Sequence, residues 1–128
     1  MIAYILVCLA AVCNAVMDTI SFHHNISIFS RYNPNFWNPE ISWKNKYVDW
    51  DNYRRLRKRF FFHWFVVPAA LTDAWHLFKS LMIIFLVLAI VLYQPVFGIL
   101  YDFVGLGLLW NISFLLCYNK FFMRSFNF

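Results

Sequence analysis

All four histidines of this chain, together with two of its aspartates, lie close to the predicted ends of apolar segments. Imidazole and carboxylate groups are ligands that Zn²⁺ takes in proteins, and a metal-bound water can act as a nucleophile near neutral pH. A divalent metal site, most simply a zinc site, is therefore predicted. Its candidate ligands are Asp18, His23, His24, His63, Asp73 and His76.

Asp18, Asp73 and His76 are the candidate catalytic residues within this set. An ionisable side chain inside a membrane span costs several kcal/mol unless it is partnered, so aspartates at such positions are functional candidates. Asp73 and His76 are three positions apart and share a helix face. We expect them to meet Asp18 between the first and second spans.

The spacing of these residues matches no metal-binding motif that stands alone. His23 and His24 are neighbours and differ by about 100° on a regular helix, so they cannot both point inward. A competing interpretation is that the histidines are interfacial and that Asp18, Asp73 and His76 form a polar cluster joining two helices. Convergence of four or more His and Asp side chains would favour the metal site.

The composition indicates the class of fold that holds these residues. Hydrophobic residues make up 62% of the 128 and charged residues 13%, against roughly 45–50% and 25% in a soluble domain. A soluble domain this small could not bury so much apolar surface. The chain is therefore predicted to be an all-α membrane protein in a single membrane domain, residues 1–128.

Three apolar runs are long enough to cross a bilayer as helices. They cover residues 2–22, 69–94 and 99–118, and the connection over residues 25–66 is polar and aromatic. Tryptophan and tyrosine in such a connection favour the headgroup level of a membrane. The stretch over residues 38–47 either caps the mouth of a site between the helices or is an interfacial loop with turn residues.

The basic residues indicate how the chain is oriented. All 11 Lys and Arg lie between residues 31 and 79 or at positions 120 and 124. Three spans place both basic regions on one face, which the positive-inside rule makes cytoplasmic. The prediction is a multi-pass protein of the inner (cytoplasmic) membrane, with its N-terminus outside and its C-terminus in the cytoplasm.

A basic run beside the aromatic cluster is predicted to bind anionic lipid headgroups. The net charge of +5 is explained by membrane contact, and no nucleic-acid partner is expected. The lipid-binding residues are Arg54, Arg55, Arg57, Lys58 and Arg59.

Three stretches, residues 13–18, 38–47 and 72–78, resemble a family of short membrane proteins from gut bacteria and their phages. The resemblance covers about the first two-thirds of the chain and implies no function. The His and Asp residues are also similar in type to a superfamily of membrane hydrolases that use three His, an Asp and a Ser around zinc. The Ser-x-x-x-His and His-x-x-x-His spacings of those enzymes do not occur here.

Three functions follow as alternatives. The first is a metal-dependent membrane hydrolase that acts on a lipid or another amphiphile, with a spare carboxylate as general base. The second is a non-enzymatic protein such as a holin-like pore former, an exclusion factor or a scaffold. The third is a subunit of a homo-oligomer or larger membrane complex, with Gly105, Gly107 and Asn111 on its contact face.

The topology is open to direct measurement. Single cysteines placed at residue 1 and within residues 95–98 should react with an impermeant maleimide from outside, because these regions carry no Lys or Arg. Cysteines at residues 40 and 128 should react only after the membrane is opened. Labelling of residue 40 from outside would show that the orientation is wrong.

Overall fold

The computed structural model describes residues 1–47 and 69–123, and most of these residues are helical. Its helices are α1 (Ile2–His23), α2 (Pro34–Trp37), α3 (Pro39–Ser42), α4 (Ala74–Val91) and α5 (Ile99–Leu116). α1, α4 and α5 are long and apolar enough to cross a membrane. The prediction of an all-α membrane protein with three transmembrane helices is confirmed.

Helix α1 lies at the centre, because both other long helices pack against it. Of its apolar stretch, 44% is buried inside the protein, against 11% for α4 and 6% for α5. The outer faces of α4 and α5 are apolar and exposed, as the acyl chains of a bilayer require.

Small side chains on α1 permit this arrangement. Its buried positions include four alanines, and small residues let helix backbones approach closely where lipid offers no hydrophobic driving force. These alanines are Ala3, Ala10, Ala11 and Ala15.

The glycines of α5, by contrast, do not create this close approach. A Cβ added at Gly105 would meet the Tyr4 ring at 3.8 Å, an ordinary contact, and one added at Gly107 would meet nothing within 4 Å. Gly107 is exposed on the outside of the bundle. It is therefore available to a partner and not needed for the internal packing.

One end of the bundle, here named the turn end, is closed by Asp102 in the first turn of α5. This carboxylate is fully buried. It accepts hydrogen bonds from the hydroxyls of Tyr4 on α1, at 2.6 Å, and of Tyr93 after α4, at 2.9 Å. It also accepts hydrogen bonds from the backbone N–H groups of Val96 and Phe97, at 2.8 and 3.1 Å. One side chain thus joins all three membrane-spanning segments.

The opposite end, here named the capped end, is covered by the segment that follows α1. Two Asn-Pro pairs start its short helices. The side chains of Asn33 and Asn38 each accept a hydrogen bond from the backbone N–H of the residue two positions later. Proline suits the first helical position. Phe29 is buried in this segment and stacks on Trp37 with 4.9 Å between ring centroids.

The end of the third span reaches the same capped end. The Ile28 N–H donates to the Phe122 carbonyl at 2.9 Å, and the rings of Phe29 and Phe122 are 5.1 Å apart. The N-terminal end of α1 therefore lies at the turn end with the α4–α5 turn. The segment after α1, the start of α4 and the end of α5 lie together at the other.

Helix α4 begins later than the apolar run suggests. It starts at Ala74, after a 3₁₀ turn over Ala69–Leu71, and Asp73 is its N-cap. The carboxylate accepts the backbone N–H of His76 at 2.9 Å, which satisfies one of the N–H groups that the first turn leaves unpaired. Asp73 thus belongs to the entrance of the span and not to its interior.

The four hydrogen bonds that Asp102 accepts, here named the Asp102 network, predict that Tyr4 contributes to the free energy of unfolding. Tyr4→Phe removes one donor to a buried carboxylate and should lower the free energy of unfolding by about 0.5–2 kcal/mol. Tyr101→Phe is the matched control, because Tyr101 is 77% exposed. Unfolding in detergent micelles, followed by tryptophan fluorescence, measures both. Equal loss in the two variants would contradict the network's role.

Candidate functional site

An Asp–His pair lies at the N-terminus of α4, at the capped end. Nδ1 of His76 is 2.9 Å from both carboxylate oxygens of Asp73. Asp73 is 3% exposed and is itself held by the Thr72 hydroxyl, which donates to it at 3.1 Å. The same carboxylate caps the helix and fixes the imidazole, so the ring orientation is set by the start of α4.

The pair borders an open cleft of about 420 Å³, here named the His76 cleft. Ligand sites in proteins usually have volumes of about 300–1,000 Å³. Side chains from three parts of the chain meet here: the end of α1, the segment after it and the start of α4. The lining residues are Ser21, Pro39, Ser42, Trp43, Lys46, Asp73, Trp75 and His76.

The chemistry of the lining is mixed. Ser21 and Ser42 bring hydroxyl groups and Lys46 an ammonium group, while Trp43 and Trp75 add aromatic surface. The His76 side chain is 24% exposed, so it remains accessible although Nδ1 is engaged. The cleft therefore combines an oriented imidazole, a cation and apolar walls, which suit a molecule with a polar head and an apolar body.

An amide side chain holds the outer wall of the cleft in place. Nδ2 of Asn45 donates to the carbonyl of Asn35 at 2.6 Å and to that of Thr72 at 2.8 Å. The first bond joins two parts of the segment after α1, and the second ties that segment to Thr72, the residue before the Asp73 cap. The 3₁₀ turn Trp43–Lys46, which carries Lys46, is thereby fixed beside the Asp–His pair.

The predicted histidines near the end of α1 lie beside a second, smaller cavity of about 220 Å³. It adjoins the His76 cleft through Ser21 and Pro39, which border both. The His23 ring contacts Tyr118 edge-on at 5.6 Å. Nε2 of His24 is buried and has no hydrogen-bond partner within the described part of the chain.

The structure therefore brings together only part of the predicted constellation. Asp73 and His76 form a pair, whereas Asp18 does not border their cleft. Ser21 does, and it lies three positions beyond Asp18 on the same face of α1. Asp18 is thus about one helical turn deeper than the cleft.

The predicted metal ligands do not cluster among the residues that the structure covers. In residues 1–47 and 69–123, no group of three or more His, Cys, Asp or Glu side chains could hold a metal ion. His63 and the basic run at positions 54, 55 and 57–59 lie outside the described residues. A metal site that includes His63 stays a prediction.

Several cleft residues were not among the sequence candidates. Lys46, Ser42 and Trp43 belong to the stretch over residues 38–47, and they border the His76 cleft. The sequence contains one local signal for this site. Thr72-Asp73 before an apolar run is an N-cap pattern, and it predicts that the Asp73 side chain lies beside position 76. The approach of Lys46 depends on the Asn45 bridge, which spans 27 residues of sequence.

The two roles of Asp73 can be separated by substitution. Asp73→Ala should lower the free energy of unfolding by about 0.5–2 kcal/mol, because the cap is lost. Asp73→Asn should keep the cap, since asparagine caps as well as aspartate, while removing the charge beside His76. If a metal is bound, both variants should lower the metal content that elemental mass spectrometry finds in purified protein. Background metal in the wild-type protein would show that the metal prediction is wrong.

Comparison of the chain with protein-family models, with curated proteins and with solved structures finds no match. Function is therefore inferred from the geometry of the His76 cleft and from its position at the capped end.

Proposed function

We propose that the protein is a membrane-interface enzyme that transfers or hydrolyses the headgroup of an anionic amphiphile in the His76 cleft. The observation that carries this proposal is the Asp73–His76 pair, with 2.9 Å from Nδ1 to both carboxylate oxygens, at the edge of an open cleft.

His76 is the proposed general base. A carboxylate on one imidazole nitrogen fixes the tautomer and the ring orientation, which leaves the other nitrogen to accept a proton. In this scheme Nε2 takes a proton from a water molecule or a hydroxyl group. The oxygen of that water or hydroxyl attacks the ester centre of the substrate at the same time. The proton then passes to the leaving oxygen. General base catalysis of this kind typically contributes about 10²–10⁴-fold.

Lys46 is the proposed headgroup-binding residue. A lysine ammonium acts as a point charge toward phosphate and other anions. Lys46 borders the same cleft as His76, so an anionic headgroup that it binds would lie beside the base. Trp43 and Trp75 would contact the adjoining apolar part of the substrate.

The depth of the cleft supports an amphiphilic substrate over a freely soluble one. The cleft is formed where α1 ends and α4 begins, at the boundary between apolar helix and polar segment. Tryptophan side chains at such positions are typical of the headgroup level. We assign this boundary to the cytoplasmic face of the inner membrane, where Lys and Arg residues are expected to accumulate.

A metal ion would suit the same geometry. Metal-binding histidines commonly donate the second ring N–H to a carboxylate, which is the relation of His76 to Asp73. Such an ion would be an alternative to the general base, because it would occupy Nε2 of His76 and would itself polarise the attacking water. Its other ligands would come from the candidates named above, with His63 among them.

The proposal predicts a specific pattern of activity. Wild-type protein in vesicles of phosphatidylglycerol and phosphatidylethanolamine should release headgroup products, measured by mass spectrometry. His76→Gln should lower the rate about 10²–10⁴-fold, because the base is lost. Lys46→Gln should reduce turnover of the anionic lipid more than that of the zwitterionic one.

Lys79→Gln is the matched control for the lysine variant. Lys79 is exposed and its ammonium lies 4.7 Å from the centre of the Trp75 ring, outside the cleft lining. It should leave turnover unchanged. Absence of product with either lipid would rule out this activity and favour a non-enzymatic scaffold, exclusion factor or pore former.

A further inference from the structure

Asn111 places an amide in the most apolar part of the protein. It lies near the middle of the third span, which covers Ile99–Phe121, and its side chain is exposed. Nδ2 donates to the Gly107 carbonyl at 2.8 Å, one turn back on the same helix. The second N–H and Oδ1 have no hydrogen-bond partner among the described residues.

This amide points away from the rest of the bundle. The face of α5 that packs on α1 carries Asp102, which is fully buried, and Gly105, which lies near Tyr4. Asp102 is nine positions from Asn111, which places it on the opposite side of a regular helix, about 180° away. Asn111 therefore faces acyl chains, which offer no hydrogen bond.

The residues around Asn111 form a continuous exposed strip on α5, here named the Asn111 strip. Its members fall within an arc of about 100° on a regular helix. None is charged, so two such strips would not repel each other. Positions 104 and 111 are seven residues apart, as are 108 and 115, the repeat of helices that pack side by side. The strip consists of Leu100, Val104, Gly107, Leu108, Asn111 and Leu115, all exposed.

We propose that the Asn111 strip is the contact face of a homodimer, in which two copies of α5 pair through Asn111. A carboxamide carries both a donor and an acceptor. Two copies related by a twofold axis can therefore exchange two hydrogen bonds, each Oδ1 accepting the free N–H of the other. Gly107, which has open space at its Cα, lets the second backbone approach.

A second copy satisfies the Asn111 amide better than a lipid chain does. A lipid chain leaves the amide oxygen unsatisfied, and an unsatisfied polar group in hydrocarbon costs several kcal/mol. An identical amide meets its own complement at the same depth without any adjustment. A single buried asparagine is also known to fix the register and number of paired helices. The dimer does not depend on the proposed enzymatic activity.

The experiment is subunit counting with the full chain in lipid vesicles. Protein labelled with one fluorophore at its N-terminus is reconstituted over a series of protein-to-lipid ratios, and photobleaching steps are counted. Asn111→Val should raise the dissociation constant about 5- to 30-fold, as expected for interhelical hydrogen bonds of about 1–2 kcal/mol. Asn111→Gln should retain most of the association, and Gly107→Leu should weaken it.

Ile112→Val is the matched control, because Ile112 is 54% exposed at the same depth but lies about 100° away on the helix. It should leave the dissociation constant unchanged. Circular dichroism checks that each variant remains folded. A monomer at every protein density, or equal association of wild type and Asn111→Val, would overturn the proposal.

Cross-linking tests the face itself. In a chain whose native Cys8, Cys13 and Cys117 are replaced, Val104→Cys should form a disulfide between copies and Ile112→Cys should not. Cross-linking through residue 112 alone would assign the contact to another face and overturn the proposal.

Discussion

The close approach of α4 and α5 to the alanines of α1 is the contact on which the rest of the structure depends. Lipid supplies no hydrophobic force between helices, so stability comes from packing and from hydrogen bonds made inside the protein. With α1 at the centre, Tyr4 reaches Asp102 at one end and Ser21 reaches the His76 cleft at the other. Both features require the helices to stay in register along α1.

Asp73 couples the fold to the candidate site, because one carboxylate serves both. Its oxygens cap the backbone of α4 and fix the imidazole of His76. Capping the helix and orienting the imidazole both require the carboxylate of Asp73 to keep one orientation. The start of α4 therefore holds the Asp73 carboxylate in the position from which it contacts Nδ1 of His76.

The sequence determines the spans because their signal is local. Runs of apolar residues predict the three spans, although α4 (Ala74–Val91) is shorter than its predicted run over residues 69–94. The spacing of Asp73 and His76 predicts only that the two residues share a helix face. The remaining features depend on distant residues. Tyr4 and Asp102 are 98 positions apart, and Asn45 and Thr72 are 27 positions apart. No periodicity links such pairs, so the Asp102 network and the cleft wall could not be derived from the sequence.

The separation of Tyr4 from Asp102 also has a consequence for biosynthesis. At about 5–20 residues per second, the chain from Tyr4 to Asp102, 98 positions later, takes roughly 5–20 s to be made. Throughout that interval the Tyr4 hydroxyl lacks its acceptor. The hydrogen bonds at the turn end can form only after α5 has been inserted, so α5 completes the contacts of α1.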